Sequence, residues 1–335
     1  MKVQEIQITW SDEYSIFASD AYLKSISNQY GWLGGFIDDR LSFILPYAVK
    51  KRLVFKSLIF TTDTIYVSPN NDANQEKKFL NGVIDYFSDK SIVFISQPPT
   101  NAVFSVYPDN SIFAPFGSYQ LDLNLSEKHL WEGMHSKHRN VIRNAEKKGI
   151  RTERGHHNKD IAYKLLKETM DRSDMGFLEK KSYDRFLSDL GNHAEIFVAY
   201  KENEPQGCAV IPYSEFCAYY LWGGSIEKPF LGSMNLLQWN LIKYFKSTGV
   251  QKYDFVGARI KPEEGSKLEG IQRFKVRFGA TMRTGYLWKH VYNPLKFKLY
   301  RFASKLKNWN NRSSQGDIID QERRKLFNED NQSDI

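Results

Sequence analysis

Leu130 to Ile150 reads LWEGMHSKHRNVIRNAEKKGI, and its use decides whether this chain is a basic binding module or an enzyme on a mixed fold. Leu130, Met134, Val141, Ile142 and Ala145 recur at helical spacing, so one face packs inward. Ser126 stands ahead as an N-cap and Gly149 behind as a stop, which predicts one helix over 127–149. Lys137, Arg139, Arg143 and Lys147 fall mostly off the apolar face. They suit a solvated face offset by Glu132 and Glu146, a nucleic-acid contact, or a clamp for a phosphate-bearing substrate. Aromatic residues are not interleaved with these cations as stacking platforms would be. Composition alone leaves the three uses open.

Outward from this helix the chain alternates helices and strands. A helix is expected over 12–29, then strands in WLGGFIDD, RLSFILPYAV and SLIFTTDTIYVS, with a hairpin turn at Asp38-Asp39. NDANQEKKFLNGVIDYFSD is expected as a helix with Asn or Asp near its start. SIVFIS is a buried strand ended by Gln97-Pro98-Pro99. A second cycle begins with the strand YQLDLNL and the basic helix. Helices follow over about 160–172 and 182–190, then antiparallel strands through Ala194–Ser225. A helix over 233–247 and a strand in KYDFVGA complete it. The fold class expected is α/β (α+β), cycled twice.

At 335 residues the chain is too long for one ordinary core and suits two domains. Hydrophobic residues, at 41%, suffice to fill both. The net charge of +8 points to anionic partners without choosing among them. Cys208 and Cys217 have no His or Cys neighbour at ligand spacing, and His135, His138, His156 and His157 form no ligand set, so no metal is expected. No leader-like apolar stretch or membrane-length apolar run occurs. A reducing, cytoplasmic setting is the expectation. Between Gly270 and Gly316 there is no acidic residue. Within that span PLKFKLYRFASKLKNW puts Leu295, Leu299, Phe302, Leu306 and Trp309 on one helical stripe flanked by cations. Docking on the chain's own domain through Leu299, Phe302 and Leu306 is one use of that stripe. A peripheral membrane contact through 294–309 is the other. The polar segment after Trp309 is expected to be disordered.

Four segments in order, LWEGMHSKHRNVIRNAEKKGI, YYLWGGS, KYDFVGA and LEGIQRFKVRFGA, resemble the FemABX-type transferases, the peptidoglycan bridge-forming enzymes and their BioF2-like acyltransferase relatives in the GNAT superfamily. The resemblance covers 119–292 and is mostly architectural over 1–118. It implies two GNAT-like acyl-CoA N-acyltransferase domains packed together, without the coiled-coil arm of longer members. Expected boundaries are 1–118, 119–292, a basic C-terminal helix over 293–309 and a tail over 310–335. The implied activity is transfer of an acyl or aminoacyl group to an amine of a cell-envelope or surface-glycan precursor. Acyl-CoA or aminoacyl-tRNA would serve as donor substrate, with no tightly bound cofactor. Partners implied are phosphate-bearing donors and acceptors, tRNA among them, and not DNA. An aminoacyl-tRNA-dependent peptidoglycan peptidyltransferase is one alternative, and a non-catalytic basic binding protein another.

Acyl transfer needs a deprotonated amine, a stabilised oxyanion and both held together. The resemblance places Phe274-Lys275 at the transfer site, where the lysine would stabilise the oxyanion or a donor phosphate. On residues alone, Arg273, Lys275 and Arg277 alternate with Phe274, Val276 and Phe278 as on a strand. Tyr220 and Trp222 fall where the family carries aromatics, often a tyrosine at the position of Trp222, and Gly223-Gly224 permits close backbone approach. Asp254 at a strand end is a candidate base or amine-orienting group, with a plain turn role equally open. Lys181 falls near a basic acceptor-contacting position, and Lys137 and Arg139 are candidate anion contacts. The pyrophosphate loop of an ordinary GNAT domain is reduced here to Gly232 and Ser233 in EKPFLGSMN.

Overall fold

A computed structural model describes residues 1–52, 54–68, 72–307 and 316–330. In chain order the elements begin with β1 (Lys2–Ile6), α1 (Asp20–Ile26), β2 (Tyr30–Ile37), β3 (Arg40–Arg52), β4 (Phe55–Phe60), β5 (Ile65–Tyr66), α2 (Ala73–Phe87), β6 (Phe94–Ile95) and β7 (Ile112–Asp122). Next are α3 (Glu127–Gly133), α4 (Ser136–Lys147), β8 (Ile150–Arg154), α5 (Lys159–Asp171), α6 (Lys180–Leu190), β9 (Ala194–Lys201), β10 (Glu204–Pro212), β11 (Ala218–Tyr219) and β12 (Trp222–Ser225). The chain then forms α7 (Ser233–Ser247), β13 (Lys252–Asp254), α8 (Lys267–Val276), β14 (Thr281–Val291), α9 (Pro294–Lys307) and α10 (Ile318–Asp330). Two compact units result. The first takes Met1–Trp10, Phe17–Gly117 and Thr284–Ile335; the second takes Ser11–Ile16 and Ser118–Arg283.

In the first unit the strands run β1-β2-β3-β4-β6-β14, with β5 on β3. Asp38 and Asp39, at φ 47° and 59°, form the turn between β2 and β3. Two successive left-handed residues match the twist of a tight hairpin. Asp72 caps α2, and Gln75 returns the bond to the Asp72 N–H, a capping box. The apolar face of α2 delivers Phe79, stacked on Phe43 at 5.3 Å. Leu33, Leu45, Phe60, Phe104 and Trp288 fill the same core.

The segment after Trp309 departs from the disorder expected of it, in that Ile318–Asp330 is the helix α10. Its polar composition hides two anchors. Ile319 is fully buried beside Val103, Ala114, Phe116 and Leu287. Asp317 and Asp320 accept from the Lys289 ammonium at 2.7 and 2.6 Å, so the acids neutralise a buried cation. Residues 310–315 and 331–335, like Trp309, lie outside the described residues.

In the second unit one antiparallel sheet runs β12-β10-β9-β8. Separately, β13 pairs antiparallel with β7 and parallel with β11. The stretch 194–225 therefore supplies two groups of strands rather than one hairpin series. Leu236, Leu237, Leu241 and Phe245 of α7 and Ile142 and Ala145 of α4 meet Phe197, Ala209 and Ile211. Both cysteines are buried free thiols here, and burial pushes the Cys208 thiol up to about 12. This unit ends at Arg283, not at 292, because β14 carries Leu287 and Trp288 into the first unit's cores.

Two local expectations change. The single helix over 127–149 is broken: Met134 and His135 are extended between α3 and α4. His135 Nδ1 caps α4 by accepting from the Lys137 N–H at 3.1 Å. Its own N–H donates to the Arg277 carbonyl at 2.9 Å. The Phe274–Phe278 stretch is helical through Val276, not an alternating strand. Phe274 and Phe278 meet one turn apart at 5.1 Å, whereas Val276 is exposed.

Candidate active site

The chemistry of the second unit gathers where β13 ends. Asp254 is buried, and a buried carboxylate is costly unless its lone pairs are filled. Ser118 Oγ donates to Asp254 Oδ1, Gln120 Nε2 donates to Oδ2 at 2.7 Å, and the Val256 N–H donates to Oδ1 at 2.7 Å. Ser118 and Gln120 alternate on β7, and Gln120 lies opposite Asp254 in the strand register, so both side chains reach one carboxylate. Burial still raises the Asp254 pKa, with these donors and the Lys275 charge opposing it.

After Asp254 the backbone turns sharply. Val256 sits at φ 51° and Gly257 at φ 71°. A β-branched residue in the left-handed region is strained. The turn is held from both sides: Asp254 takes its amide, and Lys275 Nζ donates to the carbonyls of Val256 and Gly257, each at 2.6 Å. Lys275 comes from α8, capped by Ser266 accepting from the Glu269 N–H. On the same helix Gln272 exchanges two bonds with the Arg259 backbone, both at 2.9 Å. Burial brings the Lys275 pKa down to about 8, with Asp254 opposing. An ammonium has three donors. Two serve the loop, and the third has no protein partner among the described residues.

Tyr220 joins through its backbone: its N–H donates to the Asp254 carbonyl at 2.8 Å. Its hydroxyl lies against Gly223, where any Cβ would collide with it. Burial raises the Tyr220 pKa, so the phenol stays protonated at neutral pH. Asp254 and Lys275 are thus brought together on one loop, which Tyr220 joins by its backbone alone.

The other expected residues lie apart. Trp222 packs among Phe177, Tyr183 and Phe186, at 5.4, 6.1 and 4.7 Å between ring centres. Phe274 is half-buried and packs on His138 at 5.3 Å; burial lowers the pKa of His138 to about 4. Arg139 is not presented as an open anion clamp. Its Nη1 donates to the α3 C-terminal carbonyls of Glu132, at 2.9 Å, and Met134, satisfying carbonyls that have no partner within the helix. Gly232 and Ser233 do not form an open phosphate loop. Both are buried, Gly232 at φ 93° fits against the Val141 carbonyl of α4, and a Cβ would approach that oxygen to 2.9 Å. Lys137 and Lys181 are exposed.

Sequence reasoning missed Ser118, Gln120, Val256, Gly257 and Gln272. The one available signal was the polar alternation Ser118–Gln120 on an otherwise apolar strand. Among the described residues no group of three or more His, Cys, Asp or Glu is placed to hold a metal. No helix among them is long and apolar enough to cross a membrane.

Residues 114–207 and 201–305 match the model of the FemAB family. No curated protein sequence matches the chain significantly. Among solved structures the chain is similar to FemX, at 13% identity and a TM-score of 0.65, over 88% of this chain and 99% of that one. It is also similar to the C-terminal domain (DUF2156) of a putative lysylphosphatidylglycerol synthetase from Agrobacterium fabrum. That match has 12% identity and a TM-score of 0.53, over 86% of this chain and 92% of that one. At these identities the likeness is one of fold, and it bears out the expected α/β class.

Proposed function

Given that this chain belongs to the FemAB family, and is an acyltransferase acting on cell-envelope precursors, we propose that transfer to the acceptor amine takes place at the Lys275–Asp254 loop. The observation that carries this is the third N–H donor of a buried ammonium, left without a protein partner among the described residues. In a site of low polarity such a donor stabilises negative charge strongly, at no reorganisation cost during reaction.

The acceptor nitrogen attacks the donor carbonyl carbon. The carbonyl π electrons move to oxygen, where Lys275 Nζ–H donates to the developing oxyanion. Collapse re-forms the carbonyl, breaks the bond to the donor's sulfur or ester oxygen, and leaves an amide. The nitrogen gives up one proton and the leaving group takes one up. Asp254 is a positioning residue rather than the base, because its oxygens accept from Ser118, Gln120 and Val256. The exposed Lys137 and Lys181 would meet phosphate as point charges.

Acyl-CoA and aminoacyl-tRNA both fit an anionic donor. The burial of Gly232 and Ser233 against α4 favours the tRNA donor, because the backbone amides that would hold a pyrophosphate are covered by packing. Two assays decide it. Thiol release from acyl-CoA with an amino-sugar acceptor supports the thioester route. RNase-sensitive deacylation of charged tRNA with a muramyl-peptide or amino-sugar acceptor supports the other. Consumption of neither donor overturns the proposal.

A further inference from the structure

We propose that α9 and the neighbouring β3–β4 hairpin form a docking surface for an anionic lipid bilayer. The 14 residues of α9 are too few to span a membrane but enough to lie on one. Phe297 and Tyr300 turn inward, each 4.9 Å from Phe94, and Tyr300 also meets Phe55 at 5.8 Å. That docking leaves three apolar side chains facing out. Leu295, Leu299 and Phe302 are 75%, 61% and 64% exposed, at i, i+4 and i+7. Of the residues offered for docking on the chain's own domain, Leu299 and Phe302 are therefore free, and the Leu306 side chain lies outside the described ones. On the β3–β4 hairpin, Val54 at the tip is 84% exposed. Arg52 of the same hairpin donates to Ser304 of α9 at 3.4 Å and lies over the Tyr300 ring. The hairpin thus touches α9 through Arg52 and carries an exposed apolar tip of its own.

Charge selects the occupant. Lys51, Arg52, Lys296, Lys298 and Arg301 are exposed around the stripe. No acidic side chain interrupts 270–316, and among the described residues none is paired with Lys296, Lys298 or Arg301. Large apolar residues flanked by long cations bury their tips at the acyl boundary, while the cationic heads stay among anionic headgroups. The surface lies wholly in the first unit, so the proposal stands apart from the transfer chemistry.

The test is co-sedimentation of the full chain with phosphatidylcholine vesicles, with and without phosphatidylglycerol. Partition into the phosphatidylglycerol vesicles is expected, weakening as salt rises. Leu299→Gln and Phe302→Gln are each expected to lower the partition constant about tenfold. Lys296→Gln, Lys298→Gln and Arg301→Gln should each lower it about fivefold. These side chains are exposed, so thermal unfolding should not move, and turnover on a soluble acceptor without vesicles should be unchanged. Failure of the wild-type chain to partition, equal partition without phosphatidylglycerol, or partition surviving both sets of variants overturns the proposal. So does a concentration-dependent dimer abolished by Phe302→Gln, which would make a second copy the occupant.

Discussion

Two buried lysines, one in each unit, show how the same side chain takes opposite work. Lys289 on β14 is 4% exposed and Lys275 on α8 is 7% exposed. Lys289 meets two carboxylates, Asp317 and Asp320, at 2.7 and 2.6 Å. Its charge is compensated, and the cluster pins α10 in place. Lys275 instead meets two neutral carbonyls, and the nearest acid, Asp254, is already filled by three other donors. Its charge is under-compensated, and the fall of its pKa to about 8 records that cost. A compensated cation fastens the chain, whereas an under-compensated one is what the proposed oxyanion contact requires.

That contrast breaks most sharply at Lys275. Lys275→Met should lower kcat/KM about 100- to 1000-fold, measured with whichever donor is consumed. It should also destabilise the fold by about 2 kcal/mol, because two carbonyls lose their donor, as read by urea unfolding. A Lys275→Met enzyme of full activity would end the assignment. Lys289→Met should do the reverse. Breaking the buried pair should cost about 3 kcal/mol or more in the same melt, while turnover persists below the melting transition.

The pH dependence sharpens the comparison. In the proposed role protonated Lys275 is the active form, so activity should decline above about pH 8, and that alkaline limb should be missing from Lys275→Met. Stability moves the other way. A lysine whose folded pKa lies below its unfolded value costs stability when charged. Stability from this group should therefore rise between about pH 8 and the ordinary lysine range. A flat urea midpoint across that window, with Lys275→Met as reference, would show that the ammonium is not strained. A smaller effect is expected at Gly223→Ala, which drives a methyl into the Tyr220 hydroxyl and should cost about 1–3 kcal/mol. The smallest is Val256→Gly. Relief of the left-handed strain, about 1 kcal/mol, offsets the entropy glycine adds to the unfolded chain, so the midpoint should barely shift.

Much of the architecture was legible because it is periodic. The α2 capping box, the Asp38-Asp39 turn and the apolar faces of α4 and α7 are local signals. The misreadings came from patterns that fit two periods at once. Over five residues Phe274, Val276 and Phe278 satisfy a strand, while Phe274, Lys275 and Phe278 satisfy a helix face; exposure of Val276 decides for the helix. The break at Met134-His135 was hidden because apolar spacing continues across it, and the partner that fixes it, the Arg277 carbonyl, lies far along the chain. In the candidate site, Lys275 and Asp254 were named from the sequence, but Ser118 and Gln120 reach Asp254 across 136 and 134 positions. No spacing rule reports such a partnership. Arg139 shows the opposite limit: a cation that looked free serves the helix end beside it.

The cysteines turn the division into units into a clock. Both thiols are buried in the second unit, and burial raises both pKa values, so neither offers a thiolate to an alkylating reagent while that unit stays closed. The first unit has no cysteine at all. The rate of thiol labelling in the unmodified chain therefore times the opening of the half that bears Lys275.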